Sequence, residues 1–355
     1  MSSSKKNLGE STVLPKRYIL VAGETGAGKS TFIANSMSST GSINAPEKGH
    51  GLKSKTSKIQ EFTRGSPVDG FEVVLVDTPG FNDTEHGNTL AFSQITEWLE
   101  QFHRAGNLLS GAIYMHRITD NRMAGPAVHA IGIVEAICGA RFAPNIMLLS
   151  NMWNTSQEGV YLKWEAELER DETFWAPLIR NGAKMDRYHY FDSSSFESNV
   201  QAGTAAREII SKMLRNNLEI TQLVHEVVIE GKTITETGAN GAVVRYLFDS
   251  GVVEGRKEKD ANRNAKRYKD NPRLNAFFRE EARQARANRE RIQREWSMLD
   301  TFIGGVGAGL VMLAGAYVYT FVDGPVLDLA LGGLETTIGA AEAFAVVISR
   351  LAALN

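Results

Sequence analysis

Runs of apolar and β-branched residues alternate with longer stretches of helical periodicity along the first 220 positions. The strand-like runs are 17–22, 58–63, 72–77, 111–116, 145–150 and 188–191, and helical periodicity is clearest at 90–103 and 204–220. Crossovers of this length are typical of a mostly parallel sheet with helices on both faces. The pattern therefore predicts a three-layer α/β domain over residues 16–220, preceded by a flexible terminus at 1–15.

The pattern changes beyond residue 220. Residues 221–299 are predicted to form a helical arm, and within 256–296 the basic residues outnumber the acidic ones about two to one. Such a stretch is compatible with a solvated helix, a coiled-coil arm, a nucleic-acid patch or a membrane-surface helix. The apolar sequence that follows disfavours nucleic acid as the partner.

That following sequence contains two apolar segments. Residues 301–322 hold no charged side chain over twenty-two positions, about the length that crosses a hydrocarbon core. Residues 326–354 are also apolar but are interrupted by three carboxylates, which are costly in lipid unless they face water or another helix. We expect residues 300–355 to associate with a membrane, with the rest of the chain on its cytosolic side. The alternative is a glycine-rich soluble helical pair covered by the α/β domain.

Composition adds little to this organisation. The 355 residues are 43% hydrophobic and 23% charged, as in a folded protein, and the net charge of −2 points to no class of partner. The single cysteine, Cys138, lies in an apolar periodic run and is expected to be buried rather than nucleophilic. One cysteine excludes an internal disulfide framework.

The stretch YILVAGETGAGKSTF at 18–32 contains the pattern G-x-x-x-x-G-K-S/T between a strand-like and a helix-like run. Glycine-rich backbone of this kind forms an anion-binding nest, and the following helix directs its positive end at the same place. Lys29 is expected to reach the β- and γ-phosphates of a nucleotide, and Ser30 to offer its hydroxyl to Mg²⁺. The candidate nucleotide-binding residues here are Gly23, Glu24, Thr25, Gly26, Ala27, Gly28, Lys29, Ser30 and Thr31.

A second motif, VDTPGFND, follows about fifty residues later at 76–83. Its strand delivers Asp77 at the carboxyl end, where the side chain can hold Mg²⁺ directly or through water. Gly80 supplies a small backbone whose N–H can follow a γ-phosphate. In the polar loop between the two motifs, Thr56 is the candidate that completes the Mg²⁺ shell, with Ser54 and Ser57 as rivals.

Four separated segments together carry a family resemblance. They are GETGAGKST, the threonine of LKSKTSKIQ, VDTPGFND and GAIYMHRITDNRMAG at 111–125. The chain resembles the septin-related, immunity-associated (GIMAP-type) branch of P-loop GTPases, and fungal "G domain-containing" proteins among them, over residues 16 to 250. The resemblance implies a P-loop GTPase-type α/β domain, Mg²⁺-dependent binding of GTP, and assembly into homodimers or homo-oligomers through the nucleotide face. It also implies an arginine–threonine box, which here gives Arg117 and Thr119.

The resemblance weakens where a base would be recognised. The sequence SNMWNTS at 150–156 places Asn151 first, Met152 in the usual lysine position and Asn154 in the usual aspartate position. An aspartate accepts two hydrogen bonds from guanine, whereas an asparagine has one carbonyl oxygen and a donating amide. The resemblance therefore implies a preference for guanine, whereas the asparagine at position 154 is expected to weaken that preference. The alternative is a nucleotide site with relaxed base specificity. Ser193 and Ser194 are candidates for the last base-contacting loop or for a helix cap.

Hydrolysis requires a positioned water, and Phe81 stands where Ras-type enzymes carry a glutamine directly after the DxxG turn. We therefore expect slow intrinsic turnover. Arg117 is the leading candidate for a cationic group supplied in trans across a dimer, followed by Arg122 and His50. The sequence leaves open a membrane-bound nucleotide-binding scaffold without hydrolysis. It disfavours a P-loop kinase, because no arginine-rich lid is evident between 157 and 179.

Overall fold

The computed structural model describes residues 14–37, 58–83, 87–120, 125–189 and 196–304. In these ranges the strands are β1 (Lys16–Gly23), β2 (Gln60–Thr63), β3 (Glu72–Asp77), β4 (Leu109–Arg117), β5 (Ile146–Trp153) and β6 (Lys184–His189). They form one six-stranded sheet in the order β2-β3-β1-β4-β5-β6. The β2–β3 pair is antiparallel and every other neighbouring pair is parallel. The predicted mostly parallel sheet is confirmed.

Helices cover both faces of this sheet. They are α1 (Lys29–Met37), α2 (Gly87–Arg104), α3 (Gly125–Phe142), α4 (Glu158–Arg170), α5 (Ala176–Arg180), α6 (Phe196–Leu214), α7 (Gln222–Val224), α8 (Gly238–Arg267) and α9 (Pro272–Phe302). One core forms where α1 and α6 pack on the sheet, and the other contains side chains of α2, α3, α8 and α9. The three-layer α/β architecture predicted from the sequence is confirmed.

The central strands are buried on both faces because helices cover both sides of the sheet. In β4 every residue before Arg117 is buried, and the last five residues of β1 are buried as well. These strands run parallel, so their carboxyl ends meet at one edge. That edge carries the polar motifs found in the sequence.

The predicted bounds of the last strand and of helix α6 were wrong. The last strand begins at Lys184 rather than at 188, because β6 is an edge strand whose early polar residues pair with groups outside the sheet. The hydrophobic pattern therefore detected its buried residue Tyr188 and missed its start. Helix α6 ends at Leu214 rather than at 220, and Glu219 instead forms an isolated antiparallel bridge with Leu109.

The helical region predicted beyond residue 220 is confirmed, with α8 and α9 packed together as a long antiparallel hairpin. The half of the hairpin nearest the sheet shares the core of the α/β domain, through Tyr246 and Leu247 on α8 and Ile292 and Trp296 on α9. The predicted boundary at residue 220, between the α/β domain and the helical arm, therefore separates residues that share one hydrophobic core. The division into domains stays a prediction.

Within the described ranges one helical stretch, Ala127–Asn145, is long and apolar enough to cross a membrane, and half of it is buried. It corresponds to α3 and the turn after it, and its apolar side chains belong to the core. The predicted apolar segments lie outside the described residues, except for positions 301–304 of the first. The predicted flexible terminus also lies outside them, except for residues 14 and 15.

Candidate functional site

The loop between β1 and α1 lies at the carboxyl edge of the sheet. Gly23, Gly26 and Gly28 have φ values of 143°, 80° and 92°, in the region that favours glycine. A Cβ on Gly28 would lie 2.5 Å from Nδ2 of Asn151, which is closer than real Cβ contacts come. The backbone conformation therefore favours glycine at this position, and a larger side chain would also displace the Asn151 amide.

Lys29 is the first residue of α1 and is 7% exposed. Its Nζ donates hydrogen bonds to the carbonyl oxygens of Gly23 and Glu24, each at 3.0 Å. Burial lowers the pKa of this ammonium to about 8, although nearby Asp77, Glu24 and Asp83 favour the charged form. A desolvated cation on the rim of a glycine loop gains from an anionic ligand, so the position suits a phosphate group.

Ser30 and Asp77 form a candidate metal site. The Ser30 hydroxyl donates to Oδ2 of Asp77 at 2.7 Å, and Asp77 is 1% exposed at the carboxyl end of β3. Within the ranges that the structure describes, no cluster of three or more His, Cys, Asp or Glu side chains could hold a metal. A hydroxyl and one carboxylate fit Mg²⁺, which keeps several waters and takes further oxygen ligands from substrate phosphates.

The loop after β3 lies directly against the glycine loop. The amide of Thr25 donates to the Phe81 carbonyl at 2.7 Å, and the amide of Phe81 donates to the Gly23 carbonyl at 3.1 Å. A Cβ on Gly80 would lie 2.3 Å from Oγ1 and 2.7 Å from Cα of Thr25. Only glycine permits this close approach. A movement of the glycine loop must therefore displace the loop after β3, and the reverse also holds.

Side-chain contacts between these loops were missed by sequence reasoning. Asn82 donates to Oε1 of Glu24 at 3.0 Å, and the Thr25 hydroxyl donates to Oδ2 of Asp83 at 3.4 Å. Burial is the largest cause that raises the pKa of Glu24, with Asp120 adding to the effect. The polar pair that follows Gly80 in the motif was the available signal, but its partners lie 58 residues away.

Arg117 ends β4 beside the glycine loop of its own chain. Its Nη1 lies 3.3 Å from the point that a Cβ on Gly26 would occupy, and its Nε donates to Oδ2 of Asp120 at 3.0 Å. The side chain is 35% exposed. The guanidinium therefore lies at the rim of the site, whereas Thr119 of the same box is exposed. The catalytic role of Arg117 stays a prediction.

Asn151 and Asn154 have different surroundings at the end of β5. The buried Asn151 donates from Nδ2 to the Ala27 carbonyl at 2.8 Å and thereby supports the glycine loop. Asn154 is exposed, and its Oδ1 accepts from the amide and the hydroxyl of Ser156 at 3.0 and 2.8 Å. In this conformation the oxygen of Asn154 serves as a local cap, so a base contact requires it to exchange partners.

The structure thus brings most of the predicted site residues to one edge of the sheet. Thr31 is exposed on α1. Several other predicted residues lie outside the described ranges, namely Thr56, Ser54, Ser57, His50, Arg122, Ser193 and Ser194. Their roles stay predictions.

Two residues of chemically reactive types are buried. His116 is 2% exposed, its ring meets the edge of Trp175, and burial lowers its pKa to about 4. Cys138 is 1% exposed, and burial raises the pKa of its thiol to about 12. Both groups are neutral at physiological pH, and the expected burial of Cys138 is confirmed.

Helix α9 contacts the region that follows β3, which the sequence did not predict. The carboxylate of Glu295 accepts from the amides of Asn88 and Thr89, at 2.8 and 3.4 Å, at the start of α2. Arg291 Nη1 donates to the Asp83 carbonyl at 3.3 Å. The arm is therefore bonded to the loop that lies against the glycine loop.

Comparison with known protein families finds a match that includes the glycine loop and the strand that ends at Asp77. The family model for septins matches residues 16–131, which are 116 of the 355 residues. Over this third of its length the chain is similar to septins. The match runs from β1 into α3 and includes Lys29, Ser30, Asp77 and Arg117. It ends before β5, so it does not extend to Asn151 or Asn154, and the immunity-associated branch stays a prediction.

The solved structures that are similar to this chain have low sequence identity to it. Toc33 from Arabidopsis thaliana in complex with Mg²⁺ and GMPPNP is 15% identical, with 58% of this chain and 89% of that chain covered and a TM-score of 0.43. Toc33 with GDP and Mg²⁺ is 13% identical over 58% and 88% of the two chains, with a TM-score of 0.41.

Elongation factor SelB from Methanococcus maripaludis, in complex with the GTP analogue GppNHp, is 10% identical. The alignment covers 59% of this chain and 36% of that chain, with a TM-score of 0.35. No curated protein matches the chain at a significant level. Likenesses of this size establish neither activity nor partners for this chain.

Proposed function

We propose that the chain is a Mg²⁺-dependent guanine-nucleotide switch that hydrolyses GTP slowly, assembles through its nucleotide face and associates with a membrane through residues 300–355. The observation that carries the nucleotide part is the grouping of Lys29, Ser30 and Asp77 at the glycine loop. A buried ammonium, a hydroxyl and a carboxylate at one sheet edge supply the groups that bind a phosphate–Mg²⁺ pair.

The switch part is supported by the contact between the two loops. The Thr25 amide donates to the Phe81 carbonyl, the Phe81 amide donates to the Gly23 carbonyl, and Gly80 lies against Thr25. A γ-phosphate held by the glycine loop would compete for the same narrow space, so its loss on hydrolysis would change how the second loop packs. Mg²⁺ would be held by Ser30 and Asp77, where it neutralises phosphate charge.

Slow turnover is supported by the surroundings of Phe81. Its side chain is 0% exposed in the hydrophobic core, so it presents no polar group to a water molecule. A second cationic group is then needed to stabilise the transition state, and Arg117 at the rim of the site is our candidate. We propose that it acts on the nucleotide of a second copy.

The test of this arrangement uses two defective variants. Lys29→Ala removes phosphate binding but leaves Arg117 intact, whereas Arg117→Ala retains phosphate binding. If Arg117 acts in trans, mixing the two variants with Mg²⁺-GTP restores turnover above that of Arg117→Ala alone. Arg104→Ala, which removes an exposed arginine of α2, is the matched control and should retain the turnover of the unmodified chain.

Failure of the mixture to exceed the sum of its components would remove the basis for the trans mechanism. Light scattering with a non-hydrolysable GTP analogue tests assembly separately, because a chain that stays monomeric at every concentration cannot place an arginine in trans. Flotation of the 355-residue chain with neutral vesicles tests the role of residues 300–355.

The buried Phe81 also favours a second candidate function, a membrane-bound scaffold that binds nucleotide without hydrolysing it. Single-turnover measurement of GTP hydrolysis separates the two functions. Release of phosphate that depends on Asp77 supports the switch, whereas binding without any product after many hours supports the scaffold.

A further inference from the structure

The far end of the α8–α9 hairpin projects away from the α/β domain. The last fully buried α8 residue in the shared core is Leu247, and α8 continues for another 20 residues to Arg267, which is roughly 30 Å of helix. Beyond that core the buried side chains are small alanines where the two helices face each other, namely Ala261, Ala265, Ala282 and Ala285. We call residues 263–279, at the end of this projection, the hairpin tip.

The hairpin tip exposes apolar and aromatic side chains. Phe277 is 56% exposed and Leu274 is 38% exposed. Tyr268 and Phe278 stack with ring centroids 5.5 Å apart, and the Phe277 ring meets Phe278 at 5.2 Å. The stacked pair ties the turn between the helices to α9, so the exposed Phe277 and Leu274 stand on a supported, convex surface.

The hairpin tip is also strongly basic. It holds six basic residues against one acidic residue, Asp270. The six are Arg263, Lys266, Arg267, Lys269, Arg273 and Arg279, and all are exposed.

Nearer the domain, cations of the hairpin have acidic partners, as in the pairs Arg289–Glu258 and Lys257–Glu254. In the described part of the chain, the ion pairs of the hairpin tip are confined to Arg263, which meets Asp260 at 3.5 Å. A surface with this excess of positive charge attracts polyanions.

We propose that the hairpin tip docks on the surface of an anionic lipid bilayer. Phe277 and Leu274 enter the interfacial layer, and the surrounding lysines and arginines face the acidic headgroups. An exposed aromatic and aliphatic pair on a convex end matches a fluid apolar layer, whereas a peptide ligand needs a groove to bury its side chains. The hairpin tip is a different segment of the sequence from residues 300–355, and the proposal does not depend on the nucleotide site.

The first experiment compares flotation of the 355-residue chain with phosphatidylcholine vesicles, with and without phosphatidylserine. The readout is the ratio of binding to anionic over neutral vesicles, which cancels any contribution of residues 300–355 to neutral lipid. The double variant Lys269→Glu/Arg273→Glu should lower this ratio roughly tenfold or more, since each basic residue near an anionic surface is worth about fivefold. The matched control Lys163→Glu/Arg170→Glu reverses two exposed cations on α4 and should leave the ratio nearly unchanged.

The second experiment places an environment-sensitive fluorophore at the hairpin tip. Cys138 is buried, so Phe277→Cys can be labelled selectively. Its emission should shift to the blue on anionic vesicles and return when salt is raised. The same label at Val200→Cys, a 48% exposed position on α6, should not respond.

Three results would overturn the proposal. They are a ratio that the tip variant lowers no more than the α4 control, an unchanged label at position 277 on anionic vesicles, and an equal shift at position 200. A shift produced by single-stranded RNA but not by anionic vesicles would also overturn it and assign the hairpin tip to nucleic acid.

Discussion

Replacing Glu295 by alanine should loosen the contact between α9 and the start of α2. The carboxylate is 1% exposed and accepts from the amide of Asn88 at 2.8 Å and from the Tyr246 hydroxyl at 3.0 Å. A longer bond from the Thr89 amide, at 3.4 Å, completes the set. Glu295→Ala leaves these buried donors without their acceptor.

The expected magnitude follows from the number of donors. A buried donor without a partner costs about 1–3 kcal/mol, and two good bonds are lost here. Water that enters the vacated space offsets part of this cost, so we expect a loss of about 2–4 kcal/mol in the free energy of unfolding. That is a large share of the roughly 5–15 kcal/mol typical of a folded domain.

The negative charge of Glu295 contributes less to the stability of the fold than the hydrogen bonds that its oxygen atoms accept. Burial raises its pKa above the ordinary value of 4.5, with Arg291 opposing the shift. A raised pKa in the folded state means that this carboxyl stabilises the fold most below pH 4.5 and loses that contribution as pH rises through the folded pKa. Glu295→Gln keeps an acceptor and removes the buried charge, so at neutral pH it should cost clearly less than Glu295→Ala.

Urea unfolding of the 355-residue chain, followed by far-ultraviolet circular dichroism, measures the change. Glu290→Ala is the matched control, because Glu290 lies on the same helix, is 54% exposed and pairs with Arg286 one turn away. It should lose no more than about 0.5 kcal/mol. A loss below about 1 kcal/mol for Glu295→Ala, or equal losses for the two variants, would refute the reasoning.

Three further predictions concern the site and the core. Nucleotide affinity should fall as pH rises through about 8, because burial lowers the pKa of Lys29 to that value and the bound phosphates need the ammonium form. A pH titration of binding tests this, and Lys29→Arg, which stays protonated, should remove the dependence. Asn154→Asp adds a second acceptor for guanine and should raise the preference for GTP over ATP roughly tenfold in competition binding; an unchanged preference would place base recognition elsewhere. The single cysteine, Cys138, should resist a thiol reagent at pH 8 in the native chain and react fully in denaturant, because burial raises its pKa to about 12. Rapid native labelling would contradict its place in the core.

The sequence predicted the carboxyl edge of the sheet because its signals are local. The glycine loop and the strand that ends at Asp77 are continuous segments whose residue types follow from the chemistry of a phosphate site. The central strands are buried on both faces, so each appears in the sequence as a strong local run of apolar residues. The polar edge strand β6 gave a weak run, and its first residues were missed.

Contacts between distant segments could not be predicted in this way. The bond from Asn88 to Glu295 joins residues 207 positions apart, and the sequence around Glu295 indicated only a charged helical arm. The bond from Asn82 to Glu24 depends on how two loops fold against each other. Asn154 was singled out as a base contact, and the cap that it forms with Ser156 depends on the local turn after β5.

Equilibrium binding of fluorescent GTP and ATP analogues, with Mg²⁺, to the 355-residue chain tests the central claim most directly. Lys29→Ala removes the buried ammonium, and Lys16→Ala, which removes a half-exposed lysine at the start of β1, is the matched control. The account predicts GTP binding that exceeds ATP binding, survives Lys16→Ala and weakens roughly a hundredfold in Lys29→Ala. Equal affinity for ATP would contradict the guanine preference, and binding that is absent or unaffected by Lys29→Ala would contradict the nucleotide site itself.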